Sequence, residues 1–176
     1  MRSDPTAETD RQDPDITAND VLVSVEGAAD DGALVRAAAD LAVATGGRLT
    51  VLNVMPSGAF ADRQHARARV EGLPRFTLGQ AETERERTAA AVAREALAGN
   101  PVEYDCVGVV GREPACILGE ARARGCGHVV VGTRRRSSLG AVRATEVVRA
   151  VVESFEGLVT VVRSPGDSDR RHGPVA

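Results

Sequence analysis

Five short apolar runs are separated by stretches with helical spacing, and this alternation sets what the chain can fold into. "VLVSV" (21–25) is a β-branched run of the kind that forms a buried strand. "DDGALVRAAADLAVATGG" follows, with Leu34, Ala37, Ala38, Leu41 and Ala42 on one helical face and Gly46 and Gly47 as a C-terminal stop. "RLTVLNVM" (48–55) reads as the second strand, ended by Pro56. Residues 80–97 carry the strongest helical signal, with a charged front half, an Ala/Val back half and "GNP" at 99–101 as the stop. "VEYDCVGVV" (102–110), "HVVVG" (128–132) and "LVTVV" (158–162) supply three more strands. Between them lie helical stretches at 112–125, where Pro114 falls near the first turn and its missing N–H costs little, and at 141–154.

The order is therefore β-α-β-α-β-α-β-α-β. Strands that are apolar throughout are covered on both faces, which predicts an α/β three-layer sandwich with a parallel sheet between two helical layers. Right-handed crossovers leave few topologies. Ligands of such sheets bind beyond the carboxyl ends of the strands, where strand order reverses, so the loops after the first and fourth strands are the ones to watch.

The remaining segments carry no such signal. Residues 57–78 have no clean period and read as a variable, mobile insertion with at most one short helical turn. Residues 1–19 read as a disordered acidic arm and 164–176 as a disordered tail, leaving 20–163 as the folded part.

Composition narrows the function. Aromatics are confined to Phe60, Phe76, Tyr104 and Phe155, which argues against base stacking and so against a single-stranded nucleic-acid partner. All 22 basic side chains are Arg, so neither a P-loop lysine nor a Schiff-base lysine is on offer. Residues 21–163 hold 17 acids and 18 Arg, which is too balanced for a nucleic-acid-binding polycation. No apolar run approaches the ~20 residues of a membrane span and no signal peptide opens the sequence, so the expected location is the cytoplasm. Cys106, Cys116 and Cys126 lie ten residues apart with no CxxC and no His at ligand spacing. They read as buried free thiols of a reducing compartment, with no metal. His65, His128 and His172 have no visible partner in the sequence, and no G-x-S-x-G elbow is present. With no catalytic constellation, the chain does not read as an enzyme.

Three stretches in order resemble the universal stress protein family. "VLVSVEGAADDGALVRAAADLAVATGGRLTVLNVM" is similar to the family's opening strand, its V-D-G-S turn, its Ala-rich helix and its second strand. "VGREPACILGEARARGCGHVVVGTRRRSSLG" is similar to G-x-P-A-x-x-I-L followed by D-x-I-V-V-G-S-R-G-R-S-G-L. "VVRAVVESFEGLVTVV" matches the closing helix and strand. The resemblance covers roughly residues 20–163. It implies a five-stranded parallel sheet of order 3-2-1-4-5 and a homodimer formed through strand 158–162, serving a client protein that the sequence does not name. It also implies a nucleotide site in those members that bind ATP.

Here that site is altered. ATP-binding members carry a glycine, two residues, a second glycine, nine residues, then Gly-Ser or Gly-Thr. The first glycine matches as Gly132, the second falls on Arg135, the third on Thr145 and the hydroxyl on Glu146. A one-residue gap would set Ala144 and Thr145 on the final pair. The ungapped alignment is preferred because it leaves Val147, Val151 and Val152 on apolar positions of the last helix. Arg135 lacks the conformational freedom and small size that let a phosphate touch backbone N–H groups. Glu146, read as lying in the first turn of that helix, would stabilise the empty protein through the helix dipole and repel a phosphate. Arg134 and Arg136 fall where the family often has basic residues. The family's ribose-binding Asp is Glu26 here, just after the first strand and two residues beyond Ser24, and Val54 takes the apolar position against adenine. The leading expectation is a non-enzymatic dimeric regulator with weak or absent ATP binding. The alternative is an ATP or AMP binder using Ser24, Glu26, Val54, Gly132, Thr145 and Glu146, with Arg134, Arg135 and Arg136 replacing the glycine N–H groups. A slow nucleotide hydrolase is the third reading, and nothing in the sequence supports it.

Overall fold

A computed structural model describes residues 19–133 and 138–163. The arm and tail expected at 1–19 and 164–176 lie outside the described residues, Asn19 excepted, as do Arg134, Arg135 and Arg136. The elements run β1 (Val21–Val25), α1 (Asp31–Thr45), β2 (Leu49–Pro56), α2 (Ser57–Ala68), α3 (Leu78–Ala96), β3 (Tyr104–Gly111), α4 (Glu113–Ala123), β4 (His128–Thr133), α5 (Ser138–Ser154) and β5 (Leu158–Arg163). The five strands form one parallel sheet in the order β3-β2-β1-β4-β5, as expected. In register, Val21 stands opposite Leu49 on one side and His128 on the other.

Alternation along the strands divides the core in two. Val21, Val23, Val25, Leu49 and Val51 pack under α1 and α3. Leu22, Leu52, Val129 and Val131 pack under α4 and α5 with Ile117, Ala121 and Val151. Each fully buried Val or Leu contributes roughly 1.5–3 kcal/mol, so the two apolar faces of the sheet supply the main driving force.

The helices show how the sequence meets this sheet. α1 turns inward along Leu34, Val35, Ala38, Ala39 and Ala42, while Ala37 is exposed and Leu41 only partly buried. The buried stripe is thus rotated by about one position from the sequence expectation. Gly46 ends the helix at φ 71°, its N–H donating to the carbonyls of Ala42 and Val43, so a left-handed residue closes the last turn. α3 opens with a capping box in which the Gln80 N–H donates to Thr77 Oγ1 and the Thr77 N–H to Gln80 Oε1. Its inward residues are Ala81, Ala89, Ala93 and Ala96, which bring the helix close to the sheet. At Gly108 the backbones touch: a Cβ there would run into the Glu82 carbonyl and the Glu86 amide of α3.

Residues 57–78 differ from expectation. They contain the 12-residue helix α2, not a short turn. This helix buries no residue fully, so it has no apolar stripe to announce it in the sequence. It is tied down by Phe60 against Phe76, with ring centres 5.8 Å apart, and by Arg63 against Glu84 on α3.

β1 is the switch point. Its neighbour β2 leads outward under α1 and α3, and its neighbour β4 leads the other way under α4 and α5. The carboxyl ends of β1 and β4 therefore face the diverging loops that form a ligand crevice in sheets of this kind.

Candidate functional site

The turn after β1 is held by one carboxylate. Asp31, fully buried at the start of α1, accepts through Oδ2 the N–H groups of Glu26 at 3.0 Å, Gly27 at 2.7 Å and Ala28 at 2.7 Å. Three successive amides pointing inward make an anion-binding nest, and Asp31 is its occupant. Gly27 has φ 86° and lies beneath α3, where a Cβ would come within 2.7 Å of Thr88 Cγ2. Glycine is needed there for both conformation and room. Asn53 on β2 braces the same turn from below. It is 1% exposed, and its Nδ2 donates to the Val25 carbonyl at 2.7 Å. Neither Asp31 nor Asn53 was singled out in the sequence. The Asp-Asp-Gly opening of α1 was the available signal for Asp31, since short acidic residues at helix starts commonly bind nearby amides.

The sequence-predicted residues fall as follows. Ser24 is half-buried opposite Leu52, and Glu26 is exposed at the strand end. Val54 packs with the α4/α5 cluster. Gly132, next to last in β4, lies opposite Val162 and faces α1, where a Cβ would approach Leu34 Cδ2 to 3.2 Å. Close helix packing is thus one reason for glycine there. Thr145 and Glu146 are exposed on α5. Because α5 begins at Ser138, Glu146 lies about two turns inside the helix and not in its first turn. The helix-dipole argument for Glu146 therefore falls, since that effect fades beyond the first turn. Val147 and Val151 pack inward, whereas Val152 is 53% exposed.

Glu146 instead lines a cleft of about 370 Å³ between the ends of β2 and β3, the first turn of α4 and α5. Pro56, Gly111, Arg112, Glu113 and Ala150 line it as well. Pro114 at the start of α4 fits the helix as expected. The cleft thus joins Glu146 to the region just beyond Val54, while Glu26 and Gly132 stand outside its lining.

Other candidates for chemistry are accounted for. His128 has a partner that the sequence did not reveal: its Nε2 lies 2.8 Å from Thr160 Oγ1 on β5, and burial lowers its pKa. Cys106, Cys116 and Cys126 are free thiols, the first two half-buried and the last buried. Burial raises all three, with Cys126 pushed up to about 11, so all stay protonated and poorly nucleophilic near neutrality. Among the described residues no group of three His, Cys, Asp or Glu could hold a metal ion. No helix among them is long and apolar enough to cross a membrane.

With the sheet order and crevice in place, comparison with known proteins is decisive for the family. The model of the universal stress protein family matches residues 18–163. The chain belongs to that family. No curated protein matches it significantly. Among solved structures, a universal stress protein in complex with cAMP is 17% identical with a TM-score of 0.55, covering 83% of this chain and 97% of its own. A universal stress family protein from Burkholderia pseudomallei is 18% identical with a TM-score of 0.57, covering 84% and 98%. The universal stress protein from Archaeoglobus fulgidus in complex with dAMP is 17% identical with a TM-score of 0.51, covering 81% and 95%.

Proposed function

We propose that this chain is a non-enzymatic universal stress-type regulator of the cytoplasm, which forms a homodimer through β5 and acts on a client protein. In this reading its nucleotide loop is degenerate and holds ATP weakly or not at all. The observation that carries the reading is Glu146. An exposed carboxylate lines the cleft on α5, and the ungapped alignment sets it on the hydroxyl position of ATP-binding members. A like charge beside a phosphate opposes its binding. The nest after β1 points the same way, because its three amides already hold Asp31. The described residues thus suit a polyphosphate poorly.

A second reading keeps a nucleotide. Relatives of the same fold carry cAMP and dAMP, and three consecutive arginines follow β4. In that reading Arg134, Arg135 and Arg136 host the phosphate, while Glu26 and Val54 face ribose and base. Calorimetric titration with Mg-ATP and with AMP separates the two. Saturable micromolar binding of either nucleotide overturns the degenerate-loop reading.

A further inference from the structure

The groove between α2 and α3 carries a concentration of positive charge that the family resemblance does not explain. It has a volume of about 640 Å³, and Arg63, Arg67 and Arg87 line it together with Phe76, Thr77 and Thr83. Phe76 is 5% exposed and forms an aromatic floor, with the Arg63 guanidinium 4.5 Å and the Arg67 guanidinium 5.8 Å from its ring centre. Stacking of this kind holds the planar forks of arginine in fixed orientation. One carboxylate is already bound there: Arg63 Nη1 donates to Glu84 Oε1 at 2.8 Å and to Oε2 at 2.7 Å, which holds Glu84 below its ordinary value. Arg67 and Arg87 have no carboxylate partner among the described residues.

We infer that this groove is the docking site of the chain's own acidic segment, residues 1–18. That segment holds five acids and two Arg, while residues 21–163 are close to neutral. Its charge therefore has a local target and no general one. Reach is sufficient. The described chain starts at Asn19, whose carbonyl accepts from Thr45 Oγ1 at the end of α1, on the amino-terminal side of the sheet. The groove lies at the opposite end, beside the start of α3, a helix of 19 residues and so ~28 Å long. At ~3.3 Å per extended residue, Asp10 reaches ~30 Å from Asn19 and Asp4 ~50 Å. Asp4, Glu8 and Asp10 are thus the acids placed to meet Arg67 and Arg87. The rival cationic stretch is Arg134, Arg135 and Arg136, which follow β4 in the sequence. Docking through exposed pairs is screened by salt, so it is a reversible cover and not part of the core.

The test uses the full chain and amide NMR shifts. Asp4→Asn with Glu8→Gln and Asp10→Asn neutralises the segment without touching the sheet. It should move the amides of Thr77, Gly79, Thr83 and Arg87, and salt at about 0.5 M should move the wild-type amides to the same positions. Reciprocally, Arg67→Gln with Arg87→Gln should shift the amides of residues 4–10 toward their high-salt positions, with Val23 and Val51 unmoved. Arm amides indifferent to the arginine changes overturn the inference. So do arm-dependent shifts centred on 133–146, and so do groove shifts that grow with protein concentration, which would mean that the arm of a second copy docks.

Discussion

The carboxylate of Asp31 takes the amide N–H of Gly27 at 2.7 Å, inside a turn that in this fold opens toward the ligand crevice. The same oxygen takes two further amides, and the side chain is fully buried. A loop built to present N–H groups is therefore satisfied from within. Removing that anion leaves three part-buried amides without their acceptor. Hydrogen bonds to a charged group are worth ~1.5–3 kcal/mol each, less when several share one oxygen. Asp31→Ala should cost ~3 kcal/mol of unfolding free energy, and Asp31→Asn about half of that, because an amide oxygen still accepts. Urea melts of the three proteins measure it. A loss below ~1 kcal/mol for Asp31→Ala would mean that water replaces the carboxylate readily and that the turn does not depend on it.

The fold was legible because its signals were redundant. Each strand is built mainly of apolar residues, and each core helix carries small or branched residues at helical spacing, so shifting any boundary by two residues left the topology unchanged. α2 was not legible because only Phe60, Ala61 and Arg67 are half-buried and the rest of the helix faces solvent. The site was legible only as a list of residues. Spacing after Gly132 found Glu146, but not its depth in α5, because the helix start at Ser138 lies in a Ser/Gly-containing stretch that gives no apolar cue. Asp31 was missed for a different reason: its role depends on three amides that precede it, and backbone direction is not written in residue type.

His128 supplies a pH test. Burial lowers its pKa while Nε2 stays beside Thr160 Oγ1. In the unfolded chain the imidazole protonates near pH 6.5. As pH falls through that value the unfolded state binds the proton first, so the contribution of His128 is present above it and is lost toward the folded value. Between pH 7.5 and pH 5.0 the wild type should lose more stability than His128→Gln. Glu84, held low chiefly by its hydrogen bond to Arg63, adds an acid-side loss of its own below 4.5, outside this window and common to both proteins. Equal losses in the two proteins would assign the acid sensitivity elsewhere.

The exposed edge of the sheet tests the dimer. On β5, Leu158 is 67% and Val161 41% exposed, and the strand has a neighbour on one side only. An apolar edge left open invites another strand, and a two-fold axis would set two copies of β5 antiparallel. Light scattering at about 50 µM should give a dimer, since an interface covering a whole sheet edge should be tight. Val161→Asp places like charges across the axis and should give a monomer with an unchanged helical spectrum. A monomeric wild type ends the proposal, and a dimeric Val161→Asp moves the interface to another face.

The proposed degenerate loop can be tested by reversing it. Arg135→Gly would restore backbone approach, and Thr145→Gly with Glu146→Ser would remove a carboxylate from the cleft and supply a hydroxyl. Removing one like charge near a phosphate at partly exposed distance is worth ~1–2 kcal/mol, about tenfold in affinity. Stability should move the other way. Position 145 lies within α5, where glycine in place of threonine costs about 0.3 kcal/mol of helix propensity. This cost comes from helix propensity and not from the dipole, so part of it should appear in Thr145→Gly alone and the rest with Glu146→Ser. Calorimetric titration with Mg-ATP, paired with urea melts of the single and triple variants, separates the two effects. If the wild type already binds at micromolar concentration, the arginines host the phosphate and the loop is intact in another form. If the triple variant binds no better than wild type, Thr145 and Glu146 do not occupy the Gly-Ser positions, and the gapped pairing through Ala144 and Thr145 is the one to test next.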